Sequence, residues 1–201
     1  GVLYSHRSTV LHAYGGSQMD GLGLSARDTV LAVVPMFHAN AWGLPYNAGM
    51  TGTKMVFPGP KMGDAETLVD LINSEGVTMA AGVPTVWTLL LSYLAQSGKQ
   101  VPTLTKTLIG GSAVPLSMIR TFNETHGVKV LQGWGMTETS PLGSSFAGNA
   151  FHEHMGSSGF VQPLIDLLAD ERPQNRAEAA TALGKVGQAT AVVSLKPLLN
   201  D

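Results

Sequence analysis

The run Gln132-Gly133-Trp134-Gly135-Met136-Thr137-Glu138-Thr139 follows an apolar, strand-like lead and gathers glycines, an aromatic ring, a hydroxyl and a carboxylate in one short stretch. Glycines let a backbone approach a ligand closely, an aromatic face can stack on a purine, and a Thr-Glu pair can serve phosphate and Mg²⁺. The stretch reads as part of a nucleotide site, although Thr137 as a helix cap and Glu138 as a solvated first-turn acid is the plainer alternative. A second segment, Ile109-Gly110-Gly111-Ser112-Ala113-Val114-Pro115, follows a strand and opens a helix. Its backbone at Gly110, Gly111, Ser112 and Ala113 can approach a flat ligand and turn amides toward an acceptor, and by itself it is equally an ordinary glycine-rich turn. The third is Val33-Val34-Pro35-Met36-Phe37-His38-Ala39-Asn40-Ala41-Trp42-Gly43-Leu44-Pro45, where His38 and Trp42 stand out; as isolated residues they read as a buried histidine and a core tryptophan. Gly82-Val83-Pro84-Thr85-Val86-Trp87 is the fourth, with Val83 and Pro84 where a helix begins.

Two other combinations are weaker. His152-Glu153-His154 offers two imidazoles to a divalent metal without a third ligand nearby, and reads better as a solvated linker. Ser112 or Ser140 with His38 would make a nucleophile and base, but no Gly-x-Ser-x-Gly elbow is present, since Gly111-Ser112-Ala113 lacks the closing glycine.

The elements that must hold these residues alternate between short β-branched runs and longer helix-period segments. Strands are expected at Val2 to Ser5, Thr29 to Val34, Thr53 to Phe57, Val77 to Ala81, Lys106 to Ile109 and Val128 to Leu131, nearly continuous in apolar residues and so buried on both faces. Helices are expected at Ser8 to Met19, Asp64 to Glu75, Thr85 to Gln96 and Pro115 to His126. Asp64 serves as a cap, Pro84 and Pro115 fall in first turns, and Gly76, Gly98 and Gly127 stand where helices stop. The right-handed crossover rule turns this order into an α/β fold, a mostly parallel sheet flanked by helices, with ligands beyond the strands' carboxyl ends.

Composition limits the alternatives. The 201 residues are 44% hydrophobic, ample for a core, and 12 Lys plus Arg against 14 Asp plus Glu argues against an electrostatic grip on nucleic acid or anionic membrane. Without cysteine there is no disulfide framework or thiolate metal site, which suits a reducing cytoplasm, and no apolar run is long enough for a membrane span.

In order and spacing the four segments resemble the adenylate-forming (AMP-binding) acyl-CoA synthetases, of the long-chain fatty acid CoA ligase type, over residues 1–145. The resemblance implies that Thr137 contacts the phosphate of ATP or AMP, that Glu138 holds Mg²⁺, and that Trp134, where the family more often has Tyr, lies against adenine. It further implies that Gly110 to Ala113 and Gln132 to Met136 line the nucleotide site, that His38 borders the reacting carboxylate, that Trp42 gates the acyl tunnel, and that Val83 and Pro84 belong to the acyl pocket. Fatty acid and CoA are then the implied partners. That family carries a phosphate loop ahead of the Val-Leu-Tyr-Ser-His-Arg segment and a C-terminal lobe with a catalytic lysine after the Thr-Glu run. Neither is expected within this sequence, and efficient acyl-CoA formation is not expected from it alone.

After Pro141 the composition turns to glycine and serine, and a linker is expected over 146–158. Beyond it, Val161 to Asp170 returns as Val192 to Asp201 with five of ten positions identical at a period of 31. This resembles a short HEAT-like helical repeat over 159–201. About three repeats are normally needed for stability, so a second copy of the chain or a partner is expected to complete it. A chimera in which the nucleotide site is vestigial and the tail assembles remains the alternative to a truncated synthetase-like domain.

Overall fold

The computed structural model describes residues 1–19, 21–141 and 143–147, together with Pro173 and Arg176. The chain separates into two units, Gly1–Gly148 and Asn149–Asp201, and the architecture below is that of the first. Apart from Pro173 and Arg176, the expected helical repeat over 159–201 lies outside the described residues, as do the His152/His154 pair and most of the expected linker.

Six strands form one sheet in the order β2-β1-β3-β4-β5-β6. They are β1 (Thr29–Val33), β2 (Lys54–Val56), β3 (Met79–Gly82), β4 (Lys106–Ile109), β5 (Lys129–Trp134) and β6 (Ser144–Ala147). The first five pair in parallel, and β6 pairs antiparallel with β5. Helices cover both faces: α1 (His6–Ser17), the single turn α2 (Ala39–Trp42), α3 (Leu44–Thr51), α4 (Ala65–Glu75), α5 (Pro84–Ser97) and α6 (Leu116–Arg120), the last widening into a π-turn at Thr121–Thr125. This is the mostly parallel, helix-flanked sheet that the sequence leads one to expect.

Side-chain alternation splits the interior in two. From β1, Leu31 and Val33 join Ala80, Ile109 and Val130 in a core completed by Leu68, Val69 and Ile72 of α4, Trp87, Leu90 and Leu94 of α5, and Ile119 and Phe122. Val30, Ala32 and Val34 point the other way and meet Met79, Ala81, Leu108, Leu131 and Leu44. All five residues of β1 are buried, which explains why this strand carries no polar alternation. At its amino end, Thr78 Oγ1 donates to Asp28 Oδ1 at 2.9 Å and accepts from the Thr29 amide at 3.1 Å, fixing β1 against β3 before the ladder begins.

The structure corrects several boundaries. Val2 to Ser5 is not a strand: Val2 and Leu3 are exposed, and Ser5 instead caps α1, its hydroxyl accepting from the Ser8 amide at 3.0 Å. A hydroxyl before a helix satisfies an orphan amide, whereas an exposed apolar pair has no sheet face to cover. Asp64 stands at the start of α4 but makes no side-chain bond to the backbone amides there, because its carboxylate takes the Thr67 hydroxyl instead. The helix α3 is not among the helices expected from the sequence; Pro45 falls in its first turn, where proline fits. Strand β6 begins in the glycine- and serine-rich stretch that composition reads as the approach to a linker, and its residues 146 and 147 fall within the range expected for that linker. Gly76 and Gly98 do stop their helices in the left-handed conformation.

Candidate functional site

Four strand ends converge on one place. The chain leaves β1 into Pro35 and His38, β3 into Val83, β4 into Gly110, and β5 into Trp134, all at the carboxyl edge of the parallel sheet. A cavity of about 310 Å³ opens there. Among the expected site residues, His38, Trp42, Gly110, Gly111, Gly133, Trp134, Gly135, Met136 and Thr137 line it. Four segments spread over about a hundred positions thus contribute, or abut, a single wall.

Gly110 is required by proximity. A β-carbon there would crowd the Gly133 carbonyl oxygen at 3.1 Å, a backbone atom of the neighbouring strand, and would sit in van der Waals contact with Trp42 Cη2 at 3.4 Å. The indole of Trp42 therefore lies against the Gly110-Gly111 backbone. It is carried on α2, whose four residues all have positive φ: 45° at Ala39, 56° at Asn40, 50° at Ala41 and 55° at Trp42. This is a left-handed turn, disfavoured by roughly 1–2 kcal/mol per non-glycine residue. It is closed by the Gly43 amide donating to Asn40 O at 3.0 Å and by Asn40 Nδ2 donating to Tyr46 Oη at 3.0 Å.

The opposite lip is the end of β5 and the one-turn helix Thr137–Thr139. Trp134 is 50% exposed and lines the cavity, which leaves part of its ring open to a ligand. Thr139 Oγ1 accepts from the Met136 amide at 3.1 Å and closes the turn. Glu138 is exposed and does not line the cavity, nor do Ser112, Ala113, Gln132, Val83 and Pro84. Ser112 and Ala113 are exposed beyond the Gly110-Gly111 turn, Gln132 is buried in β5, Val83 packs against the turn, where a β-carbon at Gly111 would meet Val83 Cγ1 at 3.3 Å, and Pro84 opens α5 next to it. Among the described residues no hydrogen bond joins His38 to Ser112 or Ser140, and the Ser140 hydroxyl is engaged by Ser8 at 2.5 Å. The nucleophile-and-base arrangement therefore finds no geometry. Nor do the described residues contain a group of three or more His, Asp or Glu placed to hold a metal.

Sequence reasoning missed the floor. His12, Gly15 and Gly16 from α1 and Asn47 from α3 line the cavity from the helical side. Asn47 is fully buried; its Nδ2 donates to Ala13 O at 2.7 Å and to Ser17 Oγ at 3.2 Å, tying α3 to α1. Gly16 permits this closeness, since a β-carbon there would lie 2.8 Å from Asn47 Nδ2. A polar residue within an apolar helix, opposite a Gly-Gly pair, is the signal that could have found the contact.

Burial lowers the His12 imidazole below the ordinary histidine value of 6.5, and burial lowers His126 in the same direction. With a folded value below the unfolded one, acidification through about pH 6.5 loads a proton onto the unfolded chain that the folded chain refuses, and stability falls. Urea midpoints should therefore drop between about pH 7.5 and 5, and the slope should flatten in His12→Asn. An unchanged slope in that variant would remove His12 as a source.

The AMP-binding enzyme family matches over residues 1–184. This chain belongs to that family. The match crosses the linker expected at 146–158 and enters the tail. Its relatives include a medium-chain-fatty-acid–CoA ligase of Ectopseudomonas oleovorans, 56% identical over 86% of this chain and 29% of that protein. A long-chain-fatty-acid–CoA ligase of Thermus thermophilus is 46% identical over 92% of this chain and 36% of that one. The chain thus spans about a third of these curated relatives. Two solved structures share its fold. The N-terminal domain of FACL13 from Mycobacterium tuberculosis, inhibitor-bound, has a TM-score of 0.67 at 24% identity over 76% of this chain and 37% of its own. The O-succinylbenzoate Coenzyme A synthetase of Bacillus subtilis, in complex with ATP and magnesium ion, has a TM-score of 0.66 at 24% identity over 76% and 30%.

Proposed function

We propose that this chain supplies the nucleotide- and acyl-facing wall of an acyl-CoA ligase, the part of an adenylating site in which ATP and a fatty carboxylate meet. In the whole reaction the carboxylate attacks the α-phosphate, pyrophosphate leaves, and the acyl adenylate passes to the thiol of CoA. The observation that carries this reading is the single cavity joining Trp42 and Gly110 on one side to Trp134, Met136 and Thr137 on the other. In the reading, Trp134 stacks on adenine, the Thr137 hydroxyl meets phosphate, His38 borders the carboxylate and Trp42 faces the acyl chain. Glu138, an exposed carboxylate beside that lip, fits Mg²⁺, which binds through one or two carboxylates with phosphate oxygens and water completing its shell. The metal would neutralise phosphate charge. Ser112, Ala113 and Gln132 support the nucleotide wall, and Val83 with Pro84 the acyl side. Fatty acids of medium to long chain are the substrate class favoured by the two ligase relatives, and a chain free of cysteine suits the cytoplasm.

Calorimetric titration tests the reading with two ligands. Mg-ATP and a non-hydrolysable fatty acyl-adenylate analogue should both bind, and Trp134→Ala should weaken both about five- to hundredfold, the range expected from losing one base-aromatic stack. Glu138→Ala should weaken Mg-ATP and leave the metal-free analogue nearly unchanged. A folded chain that gives no heat with either ligand would overturn the proposal.

A further inference from the structure

The turn that carries Thr137 and Glu138 lies in the connection between β5 and β6, whose ends are tied by the Trp134–Ser144 pairing and by the Gly143 amide donating to Trp134 O at 3.1 Å, while the turn between them is too short to fix its own direction. Its internal bonds are local: the Thr139 amide to Met136 O at 3.0 Å, the Ser140 amide to Thr137 O at 3.2 Å, and the Thr139 hydroxyl closing on Met136. Two longer-range bonds come from the opposite end of the chain. Tyr4 Oη donates to Thr137 O at 2.6 Å, across 133 positions, and the hydroxyls of Ser8 and Ser140 are 2.5 Å apart across 132. Ser140 is held with φ at 63°, a left-handed conformation uncommon for serine, where its hydroxyl meets Ser8. Ser8 in turn sits in the first turn of α1, its amide capped by Ser5 at 3.0 Å, and α1 is anchored to the core side by Asn47 on Ala13 O at 2.7 Å.

We propose that Tyr4 and Ser8 are positioning residues, a brace from α1 that aims the Thr137–Thr139 turn and with it the Thr137 hydroxyl and Glu138 carboxylate. The proposal rests on the adenylating-site reading for its consequence, and on the two bonds alone for its geometry. One bond grips a backbone carbonyl at the start of the turn and the other a side chain just past its end, so with the ends held by the β5–β6 pairing they set how the turn is rotated between them. Burial first, and the Glu138 charge second, raise the Tyr4 phenol above its ordinary value. The phenol therefore keeps its proton, and its role as donor, through the neutral and mildly alkaline range.

The test has a ligand-free arm and a ligand arm, both on the full chain. Hydrogen exchange followed by mass spectrometry should show the amides of 136–141 exchanging about three- to tenfold faster in Tyr4→Phe, the range set by losing one net hydrogen bond, and faster still with Ser8→Ala added. Exchange in β1, β3 and β4 should be unchanged, and Ser8→Thr, which retains a hydroxyl, should restore the slow rate. In the second arm the double variant should weaken Mg-ATP about five- to tenfold while the acyl-adenylate analogue changes less. Unchanged exchange at 136–141, or acceleration spread evenly over the sheet, overturns the brace. If the unmodified chain binds no Mg-ATP, the adenylating reading fails, and the exchange arm still decides the geometry.

Discussion

Gly43→Ala should destabilise the chain by roughly 2–4 kcal/mol, the sum of an overpacking term and a left-handed backbone strain. Gly43 has φ at 74°, and a β-carbon built there would stand 2.1 Å from His12 Cε1 and 2.4 Å from His12 Nδ1. The imidazole is 8% exposed and packed between α1 and the left-handed turn, so it has little room to retreat. Something must move, and the turn is the softer side, because all four of its residues already sit in a disfavoured region. Displacing it draws Trp42 away from Gly110, so binding of the acyl-adenylate analogue should weaken together with stability. Urea denaturation of Gly43→Ala, His12→Ala and the double variant separates the contributions. Measured against His12→Ala, the double variant should lose only the strain of a positive φ, about 1 kcal/mol, because the steric clash is gone. A Gly43→Ala chain as stable as the original would show that the ring moves freely and that the turn is not held against it.

How much of this was legible in the sequence depends on whether the determinant was local. The parallel strands were, because a run such as Thr-Val-Leu-Ala-Val with no polar alternation has nowhere to go but between two helical layers. The glycine turn after β4 and the aromatic-glycine run at the end of β5 were legible for the same reason: backbone closeness demands glycine, and the type shows in one letter. What failed to show were features set by distant partners. Val2 and Leu3 look like a strand until it is known that no sheet edge receives them. The left-handed turn at Ala39–Trp42 has no sequence mark, since alanine, asparagine and tryptophan all prefer the right-handed region; the surrounding packing imposes it. His12 and Asn47 were passed over because each is an ordinary residue on its own helix, and they become a cavity floor only when α1 and α3 cross at Gly16. Glu138 is the converse. Its chemistry was plain from its neighbours, and the structure places it at the rim, outside the lining of the cavity.

Trp87→Ala is the other large effect, a loss of about 3–5 kcal/mol in unfolding free energy. Trp87 is fully buried in the core beneath α5, and its ring meets Phe122 edge-on with centroids 6.0 Å apart and planes at 86°. Its Nε1 donates to the Gly82 carbonyl at 3.1 Å, at the last residue of β3. Gly82 is held tightly against it, since a β-carbon there would be 3.1 Å from Trp87 Cζ2. Removing the ring therefore opens a void and frees the strand end from which Val83 supports Gly111. Trp87→Phe isolates the second part: it retains an aromatic body, leaves the buried carbonyl without its donor, and should lose about 1–3 kcal/mol. With a loss of that size the Phe variant is expected to fold, so its binding can be read directly. The acyl-adenylate analogue should weaken severalfold if the Gly82 bond sets the position of Val83 and Gly111, and should be unaffected if Trp87 only fills volume. Far-UV circular dichroism through urea unfolding gives the stability of both variants, and a Trp87→Ala loss under about 1 kcal/mol would mean that the core closes around the missing ring.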